Sequence, residues 1–219
     1  MPINIDFQKA AENSKPQSAW TEAVGNLRSG KQYPGQGPTT LPEWRLTADT
    51  RDIAQAIADQ YGGDVQEWET TKSDRFEVLT TTASLAVQVH ACRAEMILWG
   101  NRVPTRVCDG QTRSDQNQPG DPCKCANDYP NIKSRKDAAR VNEACAPSVQ
   151  LLLGLVDLPD LGLFKWTTSS WLVLEDYANW LEEQAALKSN VVITKVPYQL
   201  KSGESRQKTT FELLVAEAA

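Results

Sequence analysis

The chain has 219 residues, 40% of them hydrophobic and 23% charged, with 23 Lys and Arg against 28 Asp and Glu. That size permits one large domain or two small ones with a real core, and the net charge of −5 disfavours autonomous DNA binding, in which phosphate neutralisation supplies most of the affinity. No apolar run approaches the roughly 18–20 residues of a membrane span, and MPINIDFQKAAENSKPQ lacks the basic-then-apolar order of a secretory signal, so the expected location is the cytoplasm.

Residues 1–40, with LRSGKQYPGQGPTTLP at their end, read as an N-terminal arm or loop-like lead-in carrying a short helix near Ser18–Val24. In TADTRDIAQAIADQYGG, Asp49 suits an N-cap and Asp52 faces the orphan amides of the first turn. Ile53, Ile57 and Tyr61 recur at helical spacing, and Gly62 supplies a left-handed stop. RFEVLTTTASLAVQVHAC alternates with period two and reads as a hairpin turning near Thr82 and Ala83, with Phe76, Val78, Leu85, Val87 and Val89 facing the core.

Beyond a polar, turn-rich stretch, VQLLLGLVD suits a buried strand. SSWLVLEDYANWLEEQAALK predicts one long helix that buries Leu174, Tyr177, Ala178, Leu181 and Ala185 and leaves Glu182, Glu183 and Lys188 to solvent. NVVITKVPYQL and KTTFELLVAEA read as two strands joined by KSGES. Adjacent strand pairs with helices between them predict an α+β fold with a largely antiparallel sheet and two main helices. The expected organisation is a lead-in over 1–40 and a single domain over 41–219, with a long loop inserted at about 100–147.

Such a loop is uncommon unless something staples it. Cys108, Cys123, Cys125 and Cys145, four of the five cysteines, fall within it. Their number and softness fit a closed, structural four-thiolate zinc site, and Pro119, Gly120 and Pro122 could turn the C-K-C pair back toward Cys108. The spacing is not that of a zinc ribbon, so reduced structural thiols and disulfide chemistry stand as alternatives. His90 and Cys92, on one face of a strand, are substitute ligands, against the plainer reading of a strand histidine and a small buried residue.

Enzyme signatures are missing: there is one histidine and no G-x-S-x-G, P-loop or G-x-G-x-x-G pattern. The chain therefore reads as a non-enzyme without catalytic residues. Between Arg102 and Cys145, eight Lys and Arg face six Asp and Glu, too mixed for a basic patch. The seven tryptophans, Trp166, Trp171 and Trp180 among them, sit mostly in apolar patterns that suit a core or an interaction surface better than base stacking.

The order of features carries a resemblance. GNLRSGK is followed by EWRLTA, a helix ending in YGG, VQEW, RAEMILWGNRVPTRVCDG, the CKC pair and a late cysteine, and then by LPDLGLFKWTTSSW with its helix and a terminal hairpin. From about Val24 to Val215 this resembles the recombination directionality factor-like family of actinophages and their prophage relatives. The resemblance implies an accessory protein of a large serine integrase, without chemistry of its own, that redirects the integrase from attP × attB integration to attL × attR excision. It implies protein contact near the integrase's coiled-coil arm, DNA contact only through the integrase, and a monomer in the bacterial cytoplasm. No integrase-contacting residue carries over. The competing readings are a zinc-stabilised nucleic-acid-binding protein of phage replication and a hydrolase whose metal position is open.

Overall fold

The computed structural model describes residues 20–32, 38–68, 73–101, 103–200 and 202–215. The first nineteen residues of the expected arm lie outside that set, and of the described part of the expected 18–24 helix, residues 20–24, Trp20 and Thr21 are helical.

The fold is α+β with a large, mostly antiparallel sheet. Its strands are β1 (Gly25–Gln32), β2 (Pro38–Ala48), β3 (Val65–Glu67), β4 (Phe76–Leu79), β5 (Ser84–Gly100), β6 (Val103–Cys108), β7 (Ala146–Leu155), β8 (Leu163–Thr168), β9 (Asn190–Gln199) and β10 (Ser205–Leu213). They follow the order β10-β9-β5-β7-β8-β1-β2-β4-β3, with β6 beside β5, and β1 runs parallel to β8. Five α-helices stand among the described residues in place of the two expected: α1 (Arg51–Tyr61), α2 (Lys124–Asp128), α3 (Ile132–Arg140), α4 (Trp171–Asp176) and α5 (Ala178–Leu187). The long C-terminal helix of the sequence reading is broken at Tyr177, where φ −125° and ψ −20° interrupt the helical path.

Contacts divide the described chain into two compact units: 92–150 with 168–183, and 20–91 with 151–167 and 184–215. In the second unit, β1 and the start of β2 fall within the 1–40 stretch expected to be loop-like. Alternation in GNLRSGK and EWRLTA buries Leu27, Trp44, Leu46 and Ala48. Trp166 stands edge-on to both Trp44 (6.5 Å) and Phe211 (5.6 Å), the T-shaped arrangement that aromatic quadrupoles favour. Helix α1 is capped by Thr50, whose side chain accepts from the Ile53 amide, one residue beyond the expected Asp49. It buries Ala54, Ile57, Ala58 and Tyr61 and ends at Gly62 with φ 74°.

The expected hairpin over 75–92 does not form. β4 pairs with β2 and β3, whereas β5 pairs with β9 and β6. Trp44 accounts for the divergence: its amide donates to the Thr82 carbonyl, its carbonyl accepts from the Thr80 amide, and its indole N–H donates to the Ala83 carbonyl. The 80–83 turn is therefore wrapped around Trp44 and not closed on itself. The core-facing assignments hold for Val78, Leu85, Val87 and Val89, all buried.

One buried cation organises this unit. β1 and β2 fall out of register between Arg28 and Gly30, where pairing jumps from Arg45 to Thr40. The carbonyls of Ser29, Leu41 and Glu43 lie at this irregularity, and the Lys195 ammonium on β9 donates to all three at 2.8, 2.9 and 2.6 Å. It also lies 4.8 Å from the Trp44 ring centroid.

In the first unit, Ala94 and Met96 on β5, Val149 on β7, and Val173, Leu174, Ala178 and Leu181 on the helices are buried. Glu182, expected in solvent, is buried as well, and its charge adds to burial in pushing up the Cys92 thiol. The expected 100–147 loop holds regular structure: β6 extends along the end of β5, and α2 and α3 lie beyond it.

Candidate metal centre

Each cysteine of the inserted region is placed by a local device. Cys108 closes β6, and the Asp109 carboxylate then accepts from the Gln111 and Thr112 amides at 2.7 and 2.6 Å, folding the chain back at once. Gly110, at φ 91°, completes that turn. The Cys123 amide donates to the Gln111 carbonyl at 2.6 Å, which returns the C-K-C pair to the turn after Cys108. Cys123 is the N-cap of α2 and Cys125 lies in its first turn. Cys145 follows a reversal after α3 in which Asn142 takes φ 60° and the Glu143 amide bonds to the Ala138 carbonyl.

The result is a cluster. Cys108, Cys123, Cys125 and Cys145 are all buried, and their sulfur atoms lie within 4.8 Å of one another. Cys125 Sγ is 3.8 Å from Cys108 Sγ and 2.9 Å from Cys123 Sγ. These separations exceed the S–S bond of about 2.05 Å, and all five cysteines are free. His90 and Cys92 stand outside the cluster.

Four buried cysteines so close together can hold a metal ion. A tetrahedron with metal–sulfur bonds near 2.3 Å has an edge of roughly 3.8 Å, within the span of the cluster. Four sulfurs would fill such a tetrahedron and leave no ligand position open. Hydrogen bonding within the cluster divides the four: donation from the Cys108 thiol holds Cys123 down to about 6 and Cys125 far below the ordinary thiol range, while hydrogen bonds with Cys123 and Cys125 push Cys108 and Cys145 up. The Cys125 and Cys145 amides donate to the sulfurs of Cys123 and Cys125. Burial pulls the Arg106 guanidinium down, and the neighbouring sulfurs of Cys123 and Cys145 more than restore it.

Arg135 is the supporting residue that sequence reasoning missed. Its side chain is buried in α3 and donates from Nε to the Tyr129 carbonyl at 2.8 Å and from Nη1 to the Gly110 carbonyl at 2.9 Å. It thus ties the turn after Cys108 to the end of the helix bearing Cys125. Asn131, which caps α3 by accepting from the Ser134 amide, was the available signal, since it places Arg135 one helical turn later.

Comparison with known proteins shows a match to the Gp3-like, recombination directionality factor-like family over residues 24–214. The chain belongs to this family. Among the described residues, the matched range encloses β1–β10, α1–α5 and the four clustered cysteines of this recombination directionality factor-like protein. Membership supports a general role in setting the direction of DNA recombination. No solved structure matches the chain, and no helix among the described residues is long and apolar enough to cross a membrane.

Proposed function

We propose that the protein is a recombination directionality factor for a phage-encoded large serine integrase, switching it from attP × attB integration to attL × attR excision. The family match across 24–214 carries this reading. The factor binds the integrase near its coiled-coil arm, reaches the attachment-site DNA only through it, performs no chemistry of its own, and acts as a monomer in the cytoplasm of the bacterial host. Physically the switch is a population shift, in which a partner moves an equilibrium only by its difference in affinity for the two states. A hundredfold preference for the excision-competent arrangement needs about 2.7 kcal/mol. An acidic chain suits that division of labour, because the phosphate contacts belong to the integrase.

Within this reading Cys108, Cys123, Cys125 and Cys145 hold a structural zinc ion. When bound, zinc cross-links β6, α2 and the segment leading into β7. The chain's own contribution is to bring the four sulfurs together through the Asp109 turn, the α2 N-terminus and the Asn142 reversal. The domain over 41–219, with its insertion at 100–147, is then a stapled scaffold for a protein partner.

The test combines the protein with the integrase encoded near it in its genome and assays recombination of both site pairs. Excision product from attL × attR, with attP × attB suppressed, supports the reading. No product and no suppression overturn it, and a salt-sensitive gel shift by the protein alone transfers support to a replication role.

A further inference from the structure

Four segments distant in sequence, GNLRSGK, EWRLTA, VQEW and GLFKW, converge on a cleft of about 440 Å³ wholly within the second unit. Arg28, Lys31, Arg45, Lys165 and Trp68 line it. Its volume lies in the range of small-molecule sites, roughly 300–1,000 Å³.

The strand register explains why cations gather there. Arg28 on β1 is the direct cross-strand partner of Arg45 on β2, and Asn26 pairs with Thr47 on one side and Lys165 on the other. Direct partners share a sheet face, and like charges in that relation repel. Two buried carboxylates offset part of the charge: Asp74 pairs with Arg28 at 3.4 Å, and Glu77 pairs with Lys31 at 2.5 Å and with Arg45. Four cations therefore face two carboxylates, and Lys165 has no carboxylate partner among the described residues. Burial, then the charge of Arg45, outweigh Asp74 and hold the Arg28 guanidinium below its ordinary value. Trp68 stacks on both arginines, 5.1 Å from Arg28 and 4.4 Å from Arg45, fixing the guanidiniums without using their in-plane donors.

We propose that this cleft binds a phosphate group, carried by a free nucleotide or by the end of a nucleic-acid strand. A phosphate monoester carries about −1.5 to −2 at pH 7, which matches the two surplus cations, whereas one carboxylate neutralises only one. Arginine forks meet phosphate oxygens with directed, charge-assisted bonds, and Lys165 adds a point charge at the rim. Binding requires no integrase, so its failure leaves the directionality reading untouched.

The test uses the full metal-loaded chain, with isothermal titration and amide NMR shifts as readouts. The probes are inorganic pyrophosphate, deoxyadenosine 5′-monophosphate, and one oligodeoxynucleotide with and without a 5′-phosphate. The expected result is saturable pyrophosphate binding that shifts the amides of residues 26–31 and 165–167. Lys165→Gln, which disturbs no ion pair among the described residues, weakens it at least about tenfold, and Arg28→Gln weakens it in the same sense. Binding of the mononucleotide without the strand assigns a free nucleotide, and tighter binding of the 5′-phosphorylated strand than of its unphosphorylated twin assigns a strand end. The proposal is overturned by silence from every probe at about 10 mM, by equal affinities of Lys165→Gln and wild type, or by binding of an acidic peptide with no response to pyrophosphate.

Discussion

Replacing Arg135 with Met keeps the buried aliphatic stem and removes only the fork that joins two segments of the cysteine centre. Two carbonyls, Gly110 O and Tyr129 O, lose donors at 2.9 and 2.8 Å. A buried acceptor left unpaired costs about 1–3 kcal/mol, and taking about 1.5 for each gives about 3 kcal/mol. Every 1.4 kcal/mol is tenfold in an equilibrium. If the whole cost falls on the centre, zinc affinity drops about a hundredfold, the upper end of the 10–100-fold effects of residues that orient metal ligands. The assay is competition against a chromogenic chelator, with hydrogen exchange of the 108–129 amides measured in parallel. Unchanged zinc affinity together with unchanged exchange across 108–129 refutes the clamp, whatever happens to global stability.

Cys123→Ser is expected to release the metal, seen as lost zinc by elemental analysis, and to expose the 100–147 region to protease while the β1–β2–β4 core persists; equal zinc content in mutant and wild type removes Cys123 from the ligand set. Lys195→Met strips the donor from three carbonyls and is expected to destabilise the fold by about 3 kcal/mol or more, read as a lower urea midpoint with unchanged m. Asp74 yields an acid-stability prediction. Burial pushes its carboxyl up, but hydrogen bonds from Thr47 and Asn26 and the Arg28 charge hold it below the usual range. A folded pKa beneath the unfolded value of about 3.9 contributes stability that is present above that pH and is lost as pH falls through the folded value. Asp74→Asn is expected to flatten the acid limb of a stability–pH curve below about pH 4 and to lower stability at pH 7.

The cysteine cluster was legible because four of the five cysteines crowd one turn-rich stretch, even at irregular spacing. Helix α1 and the β9–β10 hairpin were legible because each carries its own signals, a cap and glycine stop in one and a tight polar turn in the other. The false hairpin at 75–92 shows the limit. Alternation placed Val78, Leu85, Val87 and Val89 correctly toward the core, but partner choice was decided by Trp44, more than thirty residues upstream. The same limit hid β1 and β2, whose glycines and prolines speak for loops locally while pairing across the sheet overrides them. Arg135 and Lys195 were invisible for a related reason: each acts on carbonyls, which leave no trace in side-chain patterns.

The Lys195 contact also constrains how the chain can be made. Its three carbonyl partners precede it by 152–166 residues. On the ribosome, β1 and β2 emerge long before β9 exists, and the irregular stretch between them must wait with those carbonyls bound to water. Contacts of such sequence separation slow folding because the chain entropy of closure is spent before any contact rewards it. Synthesis of β9 is therefore what locks β1 and β2, and a nascent chain stopped before Lys195 presents an unfinished β1–β2 pair to chaperones and proteases.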